Sequence, residues 1–263
     1  MQFRKRWFRW PPDSVLWCRY ALLLTLLLSP PIFSVETLRV AIAAEDYPPF
    51  YYQDQNGEMD GFSVQVLQTV ARQLDSRIVW QRLPWKRMMH HLQQGRADLI
   101  MVFYKTDVRA EQFIFSEVSY LKDSIVLLCH RPCPVQYTGD VKSLQLKDIA
   151  VVRGFSYGKL LDELPLAPVS EVASEEMLFQ LLDHGRLQLG LASYLTVKHA
   201  TIFNRPDVRF DVLTPYLSEV EIYFAFSRQS QLTAEQFDKF NLTLHHFVQS
   251  PEYEALLDRY QMK

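Results

Sequence analysis

The sequence predicts an α/β fold made of two similarly built lobes, and three observations carry that expectation. Short apolar strands alternate with amphipathic helices from Leu38 onward. The alternation restarts midway along the chain. In addition, "HHLQQGRADLIM" (His90 to Met101) and "QLLDHGRLQLGL" (Gln180 to Leu191) both read helix, Gly-Arg, strand, with Gly95 and Gly185 set 90 positions apart. Helices that flank a sheet cover its faces, and ligands of such sheets bind beyond the carboxyl ends of the strands. Two lobes facing one another therefore define a cleft.

The elements follow in order. "LRVAIA" (Leu38 to Ala43) alternates as a strand, and Phe62, Val66, Leu67, Val70 and Leu74 share one helical face. "RIVW" (Arg77 to Trp80) is the next strand. Pro84 opens a helix with Trp85, Met88 and Leu92 on one side, and Gly95 closes it. "DLIMVF" (Asp98 to Phe103) and "SIVLLC" (Ser124 to Cys129) are strands of the buried type. The second half repeats the rhythm. "DIAVVRG" ends a strand at Gly154, Ser156 to Leu164 is helical, and Ser174 caps a helix carrying Met177, Leu178, Leu181 and Leu182. "LQLGLAS" is a strand, Tyr194 to Phe203 a helix, and "EIYFAFS" (Glu221 to Ser227) a late strand. Thr233 and Gln236 form a capping box for the next helix, and Ser250-Pro251 starts the last one, with Tyr253, Leu256, Leu257 and Tyr260.

The N-terminal stretch reads as an export signal. Arg4, Lys5, Arg6, Arg9 and Arg19 precede the apolar run "ALLLTLLL", followed by Pro30, Pro31 and a small residue at Ser34. That run is short for a bilayer span, so cleavage after Ser34 is expected, with a retained anchor as the alternative. Of 263 residues, 229 would remain, and the net charge would fall from −2 to −6. A mildly acidic chain with no basic run argues against nucleic acid as a partner. Cys129 and Cys133, in "CHRPC", are then the two remaining cysteines. In an exported protein two such close cysteines are expected to form a disulfide; a pair of free thiols or a metal site are the alternatives, and a zinc site would need more ligands than these and His130 offer.

One stretch stands apart. "EDYPPFYYQDQNGEMDGF" (Glu45 to Phe62) concentrates aromatics on a segment that Pro48 and Pro49 hold extended and Asn56-Gly57 turns. These rings either cap a core or line a ligand site.

With "YPPF", "GEMDGF", "PW" (Pro84-Trp85), "LQQGRADLI", "KTDVRAEQFIFSEVSY" (Lys105 to Tyr120) and "GFS" (Gly154 to Ser156) in this order and spacing, the chain resembles the bacterial extracellular solute-binding proteins of family 3, from Thr37 to Tyr260. The resemblance implies a two-lobed periplasmic-binding-protein-like fold with two crossover segments acting as a hinge. Residues 1–34 would be the signal peptide, 35–120 with 222–263 lobe 1, and 121–221 lobe 2. It also implies a monomer that closes on a small carboxylate-bearing ligand, an amino acid or a related molecule, and serves a membrane transporter of the ABC type or a sensor. No cofactor or metal is implied.

By the same resemblance Arg109 grips the ligand carboxylate, a planar fork suited to two parallel charge-assisted hydrogen bonds. Tyr47, Phe50 and Trp85 become aromatic walls. Ser156, at a strand-to-helix turn, becomes an anion-friendly end or a plain N-cap. Ser193 falls where the family keeps an aspartate for the ligand's amine, and a serine cannot pair that charge unless Glu45, Asp46 or Glu221 supplies it. Val102, Phe103 and Tyr104 are bulkier than the residues usual at their positions. The competing expectation is a cyclohexadienyl-dehydratase-like enzyme on the same scaffold, with Glu45, Asp46 or Glu221 as its acid. The sequence carries no GxSxG, no nucleophile–base pair and no metal motif, and His90-His91 and His245-His246 sit at outward helical positions.

Overall fold

In the computed structural model, which describes residues 36–133, 135–144, 148–162 and 169–263, β1 (Glu36–Ala43) sets the frame. The expected leader, residues 1–34, lies outside the described residues. β1 alternates apolar and polar residues, and its buried face carries Leu38, Val40 and Ile42. The chain then forms a hairpin, β2 (Tyr52–Gln53) and β3 (Met59–Asp60), around Asn56-Gly57. Asp54 holds that turn by accepting the amides of Asn56 and Glu58 at 2.9 and 2.8 Å.

α1 (Phe62–Gln73) crosses over to β4 (Ser76–Leu83), which pairs with β1 in parallel. α2 (Trp85–Gln93) leads to β5 (Leu99–Tyr104) on the other side of β1. Next come α3 (Asp107–Gln112), β6 (Phe113–Phe115), the long β7 (Leu121–His130) and β8 (Ile149–Val152). α4 (Lys159–Asp162), β9 (Val169–Val172), α5 (Glu175–Asp183), β10 (Leu189–Ser193) and α6 (Tyr194–His199) follow. β11 (Phe210–Ser227), α7 (Ala234–Phe247) and α8 (Pro251–Arg259) complete the order.

The fold is the expected two-lobed mixed α/β architecture. Among the described residues the main sheet runs β4-β1-β5-β11-β7-β10-β8-β9, with β6 on β11. β11 passes from one half to the other. Its later residues pair with β5 and β6, and its earlier residues pair with β7. On one side, α1, α7 and α8 bury Phe62, Leu67, Phe240, Leu244, Phe247 and Tyr253 against β1, β5 and β11. On the other, α5 buries Leu178, Phe179 and Leu182 against Val126, Leu128 and Phe210. Removing such side chains from water is the main stabilising term, about 1.5–3 kcal/mol for each large one.

Several elements differ from the sequence expectation, for local reasons. The helix expected from Tyr194 to Phe203 ends at His199; Ala200 is extended, and a 3-10 turn restarts at Thr201. No glycine or proline marks that break. The strand expected from Glu221 starts eleven residues earlier, at Phe210. Pro215 masks the extension in the sequence, because it lies in a bulge where the register to β7 shifts between Leu213 and Ser218. Where a helix was expected from Ser156, only Lys159–Asp162 is helical among the described residues. Short elements carrying few apolar residues, such as α3 and β9, give no periodic signal. Cys129 and Cys133 form a disulfide at the end of β7, with their sulfurs 2.01 Å apart.

Candidate ligand site

The aromatic segment does two jobs. Its backbone caps α1, since the carbonyls of Pro49 and Phe50 accept the amides of Phe62 and Ser63 at 2.8 and 3.0 Å. Gly61 makes this close approach possible. Its φ is +119°, and a side-chain carbon there would sit 2.5 Å from the Phe50 carbonyl oxygen. Phe50 is accordingly fully buried in the core, with its ring 5.1 Å from that of Tyr47. Tyr47 and Tyr51 face a cavity.

That cavity, of about 70 Å³, lies between the two halves of the sheet, lined by β5 from Ile100 to Tyr104, by the end of β1 and by Ile125 of β7. Tyr47, Trp85, Met88, Val102, Phe103 and Tyr104 form one wall, and Phe155, Ser156, Tyr157 and Glu175 the other. It continues into an outer groove of about 510 Å³ that shares Tyr47, Trp85, Phe155 and Glu175 and adds Glu45, Asp46, Lys86 and Arg153. The walls touch across the cavity, with the Phe155 ring 5.9 Å from Tyr47 and 6.0 Å from Trp85.

Arg109 reaches this cavity from α3. Thr106 caps that helix and accepts the Arg109 amide at 3.2 Å, which fixes where the arginine starts. Its guanidinium lies over the Phe103 ring, 4.1 Å from the centroid. One N–H donates to the Tyr104 carbonyl at 2.9 Å, and another donates to the Gly154 carbonyl at 3.1 Å on the opposite wall. Among the described residues no carboxylate forms an ion pair with it. Burial lowers its pKa to about 10, against the opposing pull of Asp162 and Tyr104. It therefore remains charged.

A second ionisable group faces the cavity. Glu175, the first residue of α5, lies in the cavity wall and is 3% exposed. Its Oε1 accepts the Ser193 amide at 2.8 Å. Burial pushes its pKa up to about 7, held back by the Ser193 amide and by the nearby hydroxyls of Thr196 and Tyr47. Behind it, Asp123 of β7 accepts the hydroxyls of Ser193 at 2.6 Å and Tyr104 at 3.0 Å, together with the amides of Ser124 and Leu195. Burial raises the Asp123 pKa, and these four donors partly offset the rise.

Of the six residues expected to bind ligand, the structure brings Tyr47, Trp85, Arg109 and Ser156 to the cavity. Two do not line it. Phe50 belongs to the core under α1, and Ser193 is 2% exposed, with its hydroxyl given to Asp123. The turn at Ser156 is not an open anion site either. Asp162 already accepts the Ser156 hydroxyl and the Tyr157 amide, and the Gly158 amide turns back onto the Ser156 hydroxyl oxygen. Glu45 and Asp46 stand on the outer groove, where Asp46 pairs with Arg82 at 2.8 Å. Glu221 lies away from the cavity and accepts the Tyr223 hydroxyl at 2.6 Å. Glu175 gave no signal in the sequence beyond an acidic first helical turn, and Asp123 none.

A family profile described as bacterial extracellular solute-binding proteins, family 3, matches residues 38–263. The chain belongs to this family. It is therefore a solute-binding protein by family. A probable amino-acid-binding protein of Bacillus subtilis is 29% identical over 126 residues, 48% of this chain and 46% of its own, so the chain spans about half the length of that relative. A probable histidine-binding protein of Neisseria gonorrhoeae is 26% identical over 233 residues, covering 86% of this chain and 83% of its own. In fold, this family-3 protein is similar to a histidine kinase sensor domain that itself resembles periplasmic binding proteins. The TM-score is 0.74 at 18% identity, over 86% of this chain and 96% of that domain.

Proposed function

We propose that this family-3 protein works as a monomer in the periplasm, captures a small carboxylate-bearing molecule, an amino acid or a relative of one, and presents it to a membrane transporter or sensor. The observation that carries this reading is Arg109. It is a charged guanidinium in an apolar, aromatic-walled cavity, held by one carbonyl from each wall and by no carboxylate among the described residues. A ligand carboxylate would supply the missing anion and bridge the walls. The names of the relatives in Bacillus subtilis and Neisseria gonorrhoeae support an amino acid as the ligand.

Residues 1–34 act, in this reading, as the export leader. Lobe 1 is 35–120 with 222–263, lobe 2 is 121–221, and β7 and β11 are the crossover strands between them. Closure is then a hinge motion driven by contacts made only when both lobes hold the ligand. The enzymatic alternative is weakened because none of its three expected acids lines the inner cavity. Native mass spectrometry of the protein as purified, followed by calorimetry with small carboxylic acids, tests the proposal. Saturable one-to-one binding of a carboxylate is expected; binding restricted to molecules without a carboxylate would refute it.

A further inference from the structure

Phe155 stands where the inner cavity opens into the outer groove. The two spaces share Ala43, Tyr47, Tyr51, Trp85, Phe155 and Glu175, so these residues form the neck between them. Tyr47, Tyr51 and Trp85 belong to one wall, whereas Phe155 reaches across from the loop after β8. Its ring is held from both sides. In front it meets the rings of Tyr47 at 5.9 Å and Trp85 at 6.0 Å. Behind, it packs against the apolar clusters that contain Leu127 and Val126. The loop that carries it has little freedom. The Phe155 amide donates to the Val152 carbonyl at 3.1 Å, and the Val152 amide donates to the Tyr157 hydroxyl at 2.7 Å. Asp162 accepts the Tyr157 amide at 2.8 Å. A ring so anchored and so backed is a fixed part of the neck.

We propose that Phe155 is a size filter: its ring takes the space beside Tyr47 and Trp85 that a longer ligand chain would need, so the inner cavity admits only a short acid. The inference rests on the carboxylate reading of Arg109, whose guanidinium lies in the same cavity. A water molecule needs about 10–15 Å³ of such space. The cavity, of about 70 Å³, therefore takes on the order of five to seven non-hydrogen atoms, the size of a three-carbon hydroxy or amino acid. A longer chain cannot extend inward, because Met88, Ile100, Met101 and Phe103 on that side are buried and packed. Outward lies the groove of about 510 Å³, with the neck between. In a dense interior each further methylene must displace fixed side chains, at a cost of about tenfold or more in affinity. Phe155→Ala would remove the ring and join the cavity to the groove.

The experiment is calorimetry on the wild-type protein and on Phe155→Ala with two series of acids. One is L-alanine, L-leucine and L-phenylalanine; the other is the 2-hydroxy acids of the same side chains. In whichever series binds the wild type, the methyl member should bind at least about tenfold more tightly than the benzyl member. Phe155→Ala should reverse that order by a similar factor. The wild-type order needs no variant. Phe155→Leu, which keeps an apolar side chain over the two clusters, should give an intermediate order even if the alanine variant fails to fold. A wild type that binds the benzyl member as tightly as the methyl one would overturn the filter and leave Arg109 as the carboxylate partner. An unchanged order in folded Phe155→Ala would do the same. Failure of every acid to bind the wild type would overturn the carboxylate reading and this inference with it.

Discussion

Ser193 donates its hydroxyl to the buried carboxylate of Asp123 at 2.6 Å, and the same oxygen accepts the Thr196 amide at 3.1 Å to cap α6. The serine is thus a structural link between β10, β7 and α6 and offers nothing to the cavity. Ser193→Ala should lower stability by about 1.5–3 kcal/mol through the lost bond to a charged group, with a smaller cost for the cap. Ser193→Asp should be worse, since it sets a second carboxylate against Asp123 in a dry site. Urea unfolding of both variants checks the order. An aspartate variant as stable as wild type would show that Asp123 does not depend on this donor.

Arg109→Ala should reduce affinity for the carboxylate ligand by a hundredfold or more, because removing one side of a buried ion pair costs about 3–5 kcal/mol. Stability without ligand should change far less, since the carbonyls of Tyr104 and Gly154 are the partners lost. Arg109→Lys should recover only part of the affinity, as the ammonium cannot make two parallel bonds. Calorimetry paired with thermal unfolding separates the two effects.

Gly154 lets the walls meet. Its φ is +79°, and a side-chain carbon there would lie 2.4 Å from the Trp85 indole nitrogen. Gly154→Ala is expected to hold the walls apart, weakening ligand binding about tenfold or more and changing the environment of Trp85. Fluorescence titration and small-angle scattering with and without ligand report both. Wild-type affinity in this variant would mean that Trp85 and Gly154 do not meet in the bound state.

Asp98 governs the acid side of stability. It accepts the Arg39 side chain at 2.7 and 2.9 Å, the Arg39 amide at 2.8 Å and the Ser230 hydroxyl at 2.8 Å. Its pKa is lowered: burial pushes it up, but these donors outweigh burial. A depressed pKa means that the stabilisation is full above the unfolded-chain value, near 4, and is lost as pH falls through the lower folded value. Asp98→Asn should cost about 1.5–3 kcal/mol at pH 7, and the gap from wild type should narrow as pH drops below about 4. Denaturant midpoints across that range check the sign.

The legible part of this molecule is what periodicity and caps encode. The face of Phe62, Val66, Leu67 and Val70 and the box at Thr233 and Gln236 appear as the sequence implies. Contacts that depend on strand order left no local mark. Asp123 sits on β7 opposite Val220, and only the placement of β10 beside β7 brings Ser193 and then Glu175 to it. Ser193 is placed only by its position in a family pattern, which says which residue type is missing but not what fills the gap. Phe50 misled for a related reason: a ring in an aromatic segment can face either side, and the approach of Gly61 turned this one inward.

β11 lies at the centre of the sheet, yet every strand it pairs with precedes it in the chain. A ribosome makes the polypeptide in that order, so β5 and β7 are both made before the strand that belongs between them. Until Phe210–Ser227 emerges, neither can gain its central partner. Late delivery of the keystone favours slow, all-at-once assembly dominated by distant contacts.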